Sequence, residues 1–365
     1  MRKNWLDNLR WVTVVLVLVY HVFYVYNNKG VFGGIGGFDP DPKGQPQDVI
    51  EYILYPWFMM LLFLIAGISA RYSLEHHSSR EFIHSRALKL LVPSTIGLFV
   101  LQWINGYYNA PIEALANVPS PIRYVIYSLS GIGPLWFIQE LFFLSLILVL
   151  IKSIDKKDKF YNWCGKLSFP VVIIVGGVLV YLASHVLVYN PRPESMDGLL
   201  NLYRPVIYLT VFLLGYFVFS HDKIQDKLSS GGIWFILCAI ISGTILICKN
   251  WGSDYTSPVY LSSWLNCLYA WLMTLGLMGV FKSRFDKTSQ LATYMTRSSF
   301  GLYIVHYVVL ISTGTYLYSL KDSLPIALIY IILLFTVLVG SVLVYELLHR
   351  LPVIRWCVFG ISKKK

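Results

Sequence analysis

Ten apolar stretches of membrane-spanning length follow one another along the 365 residues of the chain. A helix that crosses the roughly 30 Å hydrocarbon core of a bilayer needs about 20 mostly apolar residues. The stretches cover residues 11–26, 52–70, 90–109, 132–151, 169–188, 205–220, 231–249, 259–281, 300–318 and 325–348. They predict an all-α polytopic membrane protein with about ten transmembrane helices, organised as one domain over residues 1–365.

The composition supports this class. Hydrophobic residues make up 56% of the chain and charged residues only 13%, whereas soluble domains carry about 25% charged residues. Arg2 and Lys3 precede the first stretch, as in a signal peptide. However, Asn27 and Asn28 follow it in place of a small-residue cleavage site. The first stretch is therefore expected to remain as a transmembrane helix.

Lysine and arginine are distributed unevenly between alternate loops. With the N-terminus inside, 23 of the 30 basic residues fall on the cytoplasmic side and seven on the other side. Because basic loops tend to stay in the cytoplasm, this split predicts that both termini are cytoplasmic. It also explains the net charge of +11 by topology, so nucleic acid is not expected as a partner.

Arg10 and His21 lie eleven residues apart at the first stretch. At about 100° per residue, eleven helical steps return to within about 20° of the same face and advance by roughly 16 Å. This pattern predicts a basic side chain near one membrane surface and an imidazole deep in the bilayer above it. An ionisable group at such depth is costly and is typical of a pathway or a reacting centre.

The ninth stretch carries a second polar face. Ser299, Tyr303 and His306 follow at i, i+4 and i+7 and share one side of a helix. Exposing this face to lipid would leave its polar groups without partners, so it is expected to turn toward the first helix. For each histidine two interpretations stay open, a packing residue hydrogen-bonded between helices or a catalytic group.

Glu140 is a carboxylate near the middle of the fourth apolar stretch. A bare carboxylate in hydrocarbon is either costly or protonated, so Glu140 is expected to have a partner. It is interpreted as an acid–base neighbour of a histidine or, alternatively, as a structural hydrogen-bonding group.

The predicted cytoplasmic loop after the second stretch contains Arg86 and Lys89, one turn apart. This pair indicates either attraction to anionic lipids or a clamp for the phosphates of a nucleotide-bearing donor. The five cysteines show no metal-ligand spacing, and the sequence has no GxGxxG, P-loop or HExxH pattern. Neither a metal site nor a tightly bound cofactor is expected.

Five motifs together resemble acyltransferase family 3, the integral-membrane O-acyltransferases. In the family's order they are Asp7-Asn-Leu-Arg10 followed by His21, Phe63-Leu-Ile-Ala-Gly67 (family FFxxSGF), Arg86-Ala-Leu-Lys89 (RxxR), Pro134-Leu-Trp-Phe137 ((H/P)LWFL) and Ser299-Phe-Gly-Leu-Tyr303-Ile-Val-His306 (SYxxYLxH). The departures from these patterns include Lys89, Ala66, Ile68 and Phe300. The chain resembles the stand-alone form of the family, without a C-terminal esterase-like domain.

The resemblance implies transfer of an acyl group, commonly acetyl, from a cytoplasmic acyl-CoA to a hydroxyl group. The implied acceptor is a carbohydrate or lipid-linked molecule of the cell envelope, at the outer face of the membrane. Acyl-CoA is then a co-substrate, and membrane lipids surround the protein. The expected location is the plasma membrane, which in the family's usual setting is a bacterial inner or cytoplasmic membrane.

The resemblance also implies residue roles. Arg10, Arg86 and Lys89 are expected to bind the phosphates of the donor, whose pantetheine arm of roughly 15–20 Å would extend along the Arg10–His21 face. His21 is expected to act as a general base or, as the alternative, as a transient acyl carrier. The remaining expected catalytic residues are Glu140, Tyr303 and His306.

Aromatic side chains near the outer face are candidates for binding the acceptor. Trp136, Trp103 and Tyr107 are able to stack on sugar rings, although an interfacial aromatic belt explains them equally well. The alternative function is a transporter or flippase of a polar envelope lipid or saccharide. The repeated halves and matching broken helices that are typical of transporters are not evident in the sequence.

Overall fold

The computed structural model describes residues 3–28, 34–38, 45–109, 115–155, 157–188 and 203–361. These ranges contain one apolar helical segment for each predicted stretch. The segments are α1 (Asn4–Tyr24), α2 (Pro46–His76), α3 (Ser79–Asn109), α4 (Gly133–Ile154), α5 (Phe169–Ala183), α6 (Pro205–Phe219), α7 (Asp222–Asn250), α8 (Trp264–Arg284), α9 (Gln290–Tyr318) and α10 (Ile326–Arg350). Eight of them, all except α5 and α6, are long and apolar enough to cross a membrane.

The described ranges contain no β-strand, so the predicted all-α polytopic class is confirmed. Shorter helices stand between and after the apolar segments, at Ser120–Ser130, Lys159–Cys164, Pro258–Ser262 and Pro352–Phe359. The orientation of the termini stays a prediction, and the C-terminal lysines that support it lie outside the described residues.

Several helices begin earlier than the apolar pattern predicts. Helix α1 begins at Asn4, α7 at Asp222 and α9 at Gln290. Hydropathy marks where a helix can face lipid, whereas backbone hydrogen bonding continues into polar flanking residues. One result is that Arg10 lies in the second turn of α1, on the same continuous helix as His21.

Helix α3 is irregular, with π-helical turns at Ala87–Leu91 and Leu98–Gln102. Pro93 explains the first of these turns. Proline has no N–H, so the carbonyl of Lys89, four residues earlier, cannot receive the usual α-helical hydrogen bond. The predicted donor-binding residue Lys89 therefore lies in a distorted turn rather than in regular helix.

The chain divides into two compact units. The first comprises Met1–Thr13, Glu51–Ile83 and Phe143–Thr296, and the second comprises Val14–Ile50, His84–Phe142 and Arg297–Lys365. The single-domain organisation that the sequence suggested stays a prediction.

In the first unit, α2 and α6 approach each other closely at Gly67. A Cβ atom added to Gly67 would lie 2.0 Å from the backbone oxygen of Phe212. One turn earlier, the ring of Phe63 stacks on Tyr208 with centroids 4.5 Å apart. The Phe63–Gly67 motif therefore serves helix packing here, in the manner of small residues at membrane helix interfaces.

Polar contacts in the first unit join segments that the charge pattern assigns to one side of the membrane. Three ion pairs do so, namely Lys3–Asp222, Arg71–Asp158 and Lys282–Asp226. Arg71, which the sequence placed in a loop, lies inside α2 and is buried, with its guanidinium 3.6 Å from the centroid of the Tyr161 ring. These contacts agree with the predicted alternation of loops.

In the second unit, the segment after α1 is tied to α9. The hydroxyl of Tyr26 donates to the backbone oxygen of Gly314 at 2.7 Å, and that of Tyr318 donates to Gly37 at 3.1 Å. Gln45 donates from Nε2 to the backbone oxygen of Tyr26 at 2.8 Å. These bonds fix the end of α1 on α9, close in sequence to His21.

Candidate functional site

Two histidines meet in the second unit. Nε2 of His306, on α9, lies 3.2 Å from Nδ1 of His21, on α1, and the ring centroids are 5.0 Å apart. His306 is fully buried, whereas His21 keeps part of its surface exposed. The expectation that this face of α9 lies against the first helix is thus confirmed at His306, and Ser299 and Tyr303 on the same face are also buried.

Aromatic rings surround the histidine pair. The ring of Tyr307 stands perpendicular to that of His21, with centroids 5.4 Å apart and an interplanar angle of 86°. On α1 itself, Tyr20 and Tyr24 contact His21 at centroid distances of 5.1 and 5.8 Å. These rings restrict the orientation of the imidazole, which a reacting group requires.

Tyr303 connects two of the sequence motifs. Its hydroxyl donates to the backbone oxygen of Pro134, and its ring packs edge-on against Phe137 at 5.7 Å. The hydroxyl thus binds the first turn of α4, and the catalytic role of Tyr303 stays a prediction. This geometry makes Tyr303 a residue that positions the Pro134–Phe137 turn beside α9.

The same turn depends on Gly133. Its φ of +44° lies in the left-handed region, which strains residues other than glycine. A Cβ atom there would also lie 3.4 Å from the ring of Tyr307. Gly133 therefore lets the chain enter α4 directly beside the residues that surround His21.

A buried amide pair was not predicted from the sequence. Gln102 donates from Nε2 to the backbone oxygen of Ile304 at 3.0 Å, and Asn105 donates to the side-chain oxygen of Gln102. Both amides are almost fully buried. Two polar residues on an apolar helix, at i and i+3, were the available signal, since buried amides seek partners on neighbouring helices.

Glu140 belongs to the same unit and is only 4% exposed. It lies on α4, one turn after Trp136. Its neighbour Gln139 donates to the backbone oxygen of Ser94 on α3 at 3.1 Å. The burial of Glu140 agrees with the expectation of an intramembrane carboxylate, and its acid–base role stays a prediction.

The predicted donor-binding residues fall in both units. Arg86 and Lys89 belong to the second unit, where Arg86 ends a regular helical stretch and exposed Lys89 lies in the π-helical turn. Arg10 belongs to the first unit, where its guanidinium contacts Asp7 at 3.1 Å and Ser69 Oγ at 2.7 Å. These bonds orient the side chain of Arg10. They do not test whether Arg10 binds an acyl donor.

The predicted acceptor-binding aromatics differ in their surroundings. Trp136 is part of the turn that contacts Tyr303 and is partly buried. Trp103 and Tyr107 are 36% and 43% exposed; Trp103 contacts exposed Tyr124, and Tyr107 contacts buried Tyr127. Trp136 lies in the same turn as Pro134 and Phe137, which contact Tyr303, and Trp103 follows Gln102, which binds the backbone of Ile304.

A cavity of about 420 Å³ in the first unit contains none of the predicted site residues. Its lining residues are Lys3, Tyr72, Glu75, His76, Tyr161, Ser220, His221 and Asp222. Burial opposes the charge of Lys3, but hydrogen bonds to Asp222 and Tyr72 outweigh this and raise its pKa from 10.5. Burial lowers the pKa of His221 below 6.5. Lys3 and Asp222 form an ion pair, so we interpret the side chains that line the cavity as a structural polar cluster.

The described residues contain no group of three or more His, Cys, Asp or Glu side chains that is placed to hold a metal ion. What the second unit offers instead is an imidazole pair surrounded by aromatic rings, with one imidazole buried and the other partly exposed. An imidazole in such a setting can accept a proton from a hydroxyl group and later return it, which is general acid–base catalysis.

A polytopic helical fold with a histidine pair of this kind suits the class of integral-membrane transferases. The family model described as an acyltransferase domain matches residues 3–346. The chain therefore belongs to acyltransferase family 3, and the resemblance of the five motifs is confirmed.

Curated relatives cover nearly the whole chain. Proteins named glucans biosynthesis protein C, from three strains of Escherichia coli, are 20% identical over 373 residues, which is 98% of this chain and 94% of theirs. No solved structure matches the chain.

Proposed function

We propose that the protein transfers an acyl group, acetyl in the first instance, from acyl-CoA to a hydroxyl of a cell-envelope carbohydrate or lipid-linked saccharide. The observation that carries this proposal is the contact between His21 and His306 at 3.2 Å, on two helices that bear family motifs. Membership of acyltransferase family 3 supports the reaction class.

Basic residues are proposed to bind the acyl donor. Arg86 and Lys89 are proposed to hold the phosphates of acyl-CoA, because charge-assisted hydrogen bonds to phosphate are short and strong. Arg10 is proposed for the same role from its motif, and the bonds to Asp7 and Ser69 hold its side chain in place. The donor is proposed to approach from the cytoplasm, in agreement with the basic loops.

Two observations support the proposed carbohydrate acceptor. The curated relatives are named for glucan biosynthesis, which favours a carbohydrate acceptor. Trp136, in the turn bound by Tyr303, offers an aromatic face of the kind that stacks on sugars. Trp103 and Tyr107 are retained as weaker candidates, since exposed aromatics also form the interfacial belt.

His21 is proposed to act as the general base. Glu140, a buried carboxylate in the same unit, is proposed as an acid–base residue. His21 removes the proton of the acceptor hydroxyl, whose oxygen then attacks the thioester carbonyl. General-base catalysis typically contributes about 10²–10⁴-fold, so loss of the base should nearly abolish the reaction.

The test uses the full chain purified into lipid nanodiscs with acetyl-CoA, with release of the free CoA thiol as the readout. In parallel, envelope glycans from cells with and without the protein are compared by mass spectrometry for a gained acetyl group. His21→Gln should reduce both signals by about 10²-fold or more. The matched control is His185→Gln, which changes an exposed histidine of the first unit.

Retention of more than about a tenth of the activity in His21→Gln would exclude His21 as the base, given the size of general-base effects. Absence of both thiol release and acetylated glycan in the wild type would contradict the proposed reaction. Saccharide movement across the membrane without thiol release would instead support the transporter alternative.

A further inference from the structure

The ring nitrogens of both histidines lie close to backbone carbonyls of their own helices. Nδ1 of His21 is 2.8 Å from the backbone oxygen of Val17, and Nδ1 of His306 is 2.6 Å from that of Tyr303. A carbonyl oxygen only accepts hydrogen bonds. At these distances each Nδ1 must therefore carry the hydrogen, because two lone pairs would otherwise face each other.

These two bonds determine which nitrogen donates and which accepts in the contact between the two rings. In a neutral His306 with hydrogen on Nδ1, the nitrogen Nε2 bears a lone pair, and this atom lies 3.2 Å from Nδ1 of His21. His21 therefore donates, and its Nδ1–H is shared between Val17 and His306. A doubly protonated His306 would instead direct an N–H at another N–H.

The two histidines consequently differ in what remains available. The lone pair of His306 is occupied by the hydrogen from His21, and the ring is fully buried. His21 has its lone pair on Nε2 and keeps part of its surface exposed. The backbone oxygens of Val17 and Tyr303 determine which nitrogen of each ring carries the hydrogen. The difference between the two histidines therefore persists without any change in the rotamer of either side chain.

We infer that His306 is a positioning residue: it accepts from Nδ1–H of His21 and, together with the Val17 carbonyl, holds the tautomer that leaves Nε2 of His21 as the proton-accepting atom. This inference rests on the proposed acyl transfer and assigns to His306 a role different from direct contact with substrate. The tautomer of a catalytic histidine is commonly set by the bond to its other nitrogen.

The reaction balances with this assignment. Nε2 of His21 takes the proton of the acceptor hydroxyl, the hydroxyl oxygen forms a bond to the acyl carbon, and the acyl carbon–sulfur bond breaks. The electron pair of that bond leaves on the CoA sulfur as thiolate, which then takes the proton from Nε2. During the step the imidazolium keeps its Nδ1–H bonded to Val17 and His306, and both acceptors stabilise its positive charge.

The direct test is the tautomer itself, measured without reference to activity. Full-length protein labelled with ¹³C,¹⁵N-histidine in lipid bilayers is examined by magic-angle-spinning NMR, and the signals are assigned by their loss in His21→Gln and His306→Gln. Both residues should show a protonated Nδ1 and an unprotonated Nε2 at neutral pH. A protonated Nε2 on neutral His21 would overturn the inference.

The kinetic test compares two variants of His306. The amide of glutamine reaches the place of Nε2 and retains an acceptor for His21, whereas the amide of asparagine reaches only the place of Nδ1. His306→Gln should therefore keep most of the kcat, and His306→Asn should lose about 10–100-fold, the effect of one hydrogen bond to a charged group. KM for acetyl-CoA and for acceptor should change little in either variant.

Equal kcat values in the two variants, or a rise in acceptor KM at unchanged kcat, would overturn the positioning role. If neither variant folds, a protonated Nε2 on His306 in the wild-type protein would still overturn the inference, because His306 could then not accept from His21. If the wild type folds but releases no thiol from acetyl-CoA, the proposed function fails, while the NMR result still tests the arrangement of the two rings.

Discussion

The hydroxyl of Tyr303 donates to the Pro134 carbonyl and so joins α9 to the first turn of α4. Tyr303→Phe removes only this hydroxyl and leaves the buried Pro134 carbonyl with the Trp136 N–H as its donor. We expect a loss of about 1–3 kcal/mol in the free energy of unfolding, visible as a lower melting temperature, together with a reduced kcat because the turn beside the histidine pair loosens.

The matched control is Tyr316→Phe, on the same helix, where the ring is 66% exposed. This variant should leave both the melting temperature and kcat unchanged. Equal melting temperatures for Tyr303→Phe and Tyr316→Phe would show that the bond to Pro134 contributes nothing to stability.

The donor-binding proposal is tested at single basic residues. Arg10→Ala and Arg86→Ala should each weaken binding of acetyl-CoA, measured by titration calorimetry in detergent. Lys89→Arg should be neutral or slightly favourable, because a planar guanidinium replaces a point charge on phosphate. Arg80→Ala serves as the control, since Arg80 is an exposed basic residue at the start of the same helix. Unchanged affinity in both alanine variants would contradict the placement of the donor.

At the residue scale, the spacing of side chains along a helix predicted which face they share, but not which atoms they bind. The spacing of Ser299, Tyr303 and His306 was sufficient to place His306 toward α1. The partner of Tyr303 was not predictable, because it is a main-chain oxygen and main-chain oxygens have no signature in a sequence. The Gln102–Asn105 pair was missed for a related reason, since its acceptor is the backbone oxygen of Ile304.

At the scale of elements, each of the ten apolar stretches corresponds to a helix. Their ends were less predictable, because helices continue past the lipid-facing residues. The distortion at Ala87–Leu91 follows from Pro93, whereas that at Gly215–Phe219 in α6 has no comparable proline in its path. Local sequence thus explains one of these π-helical turns, whereas those at Leu98–Gln102 and Gly215–Phe219 are left to packing.

Close helix packing gives a prediction for this scale. Gly67→Ala should force α2 and α6 apart, because the new Cβ would lie 2.0 Å from the Phe212 carbonyl. Overpacking of this kind costs about 1–3 kcal/mol, and the melting temperature in detergent should fall accordingly. Gly231→Ala is the control on α7, where the nearest atom would be 3.7 Å away, an ordinary contact. A Gly67→Ala protein as stable as Gly231→Ala would contradict the close approach.

At the scale of the whole molecule, the alternation of sides has support within the first unit. The ion pairs Lys3–Asp222 and Lys282–Asp226 join segments that the charge pattern assigns to the cytoplasm. On the side assigned to the exterior, the hydroxyl of Tyr269 donates to the backbone oxygen of Ile53 at 2.7 Å. Contacts of this kind establish which ends of the helices belong together, and the basic residues then predict which end faces the cytoplasm.

Sidedness is tested by cysteine labelling in a background without the five native cysteines. Ser120→Cys, in the short helix between α3 and α4, should react with a membrane-impermeant maleimide in intact cells. Ser283→Cys, in the last turn of α8, should react only after permeabilisation. Both serines are exposed, so a difference in reactivity reports the side of the membrane rather than burial.

The reverse pattern would exchange the sides of donor and acceptor. Arg86 and Lys89 would then face the exterior, where acyl-CoA is not available, and the proposed reaction would require a different donor. Reactivity of both cysteines in intact cells would instead show that Ser120 and Ser283 share one side, which would contradict the odd number of predicted crossings, α4 to α8, between them. Only the predicted pattern places a cytoplasmic thioester donor and an external hydroxyl acceptor on opposite sides of the histidine pair.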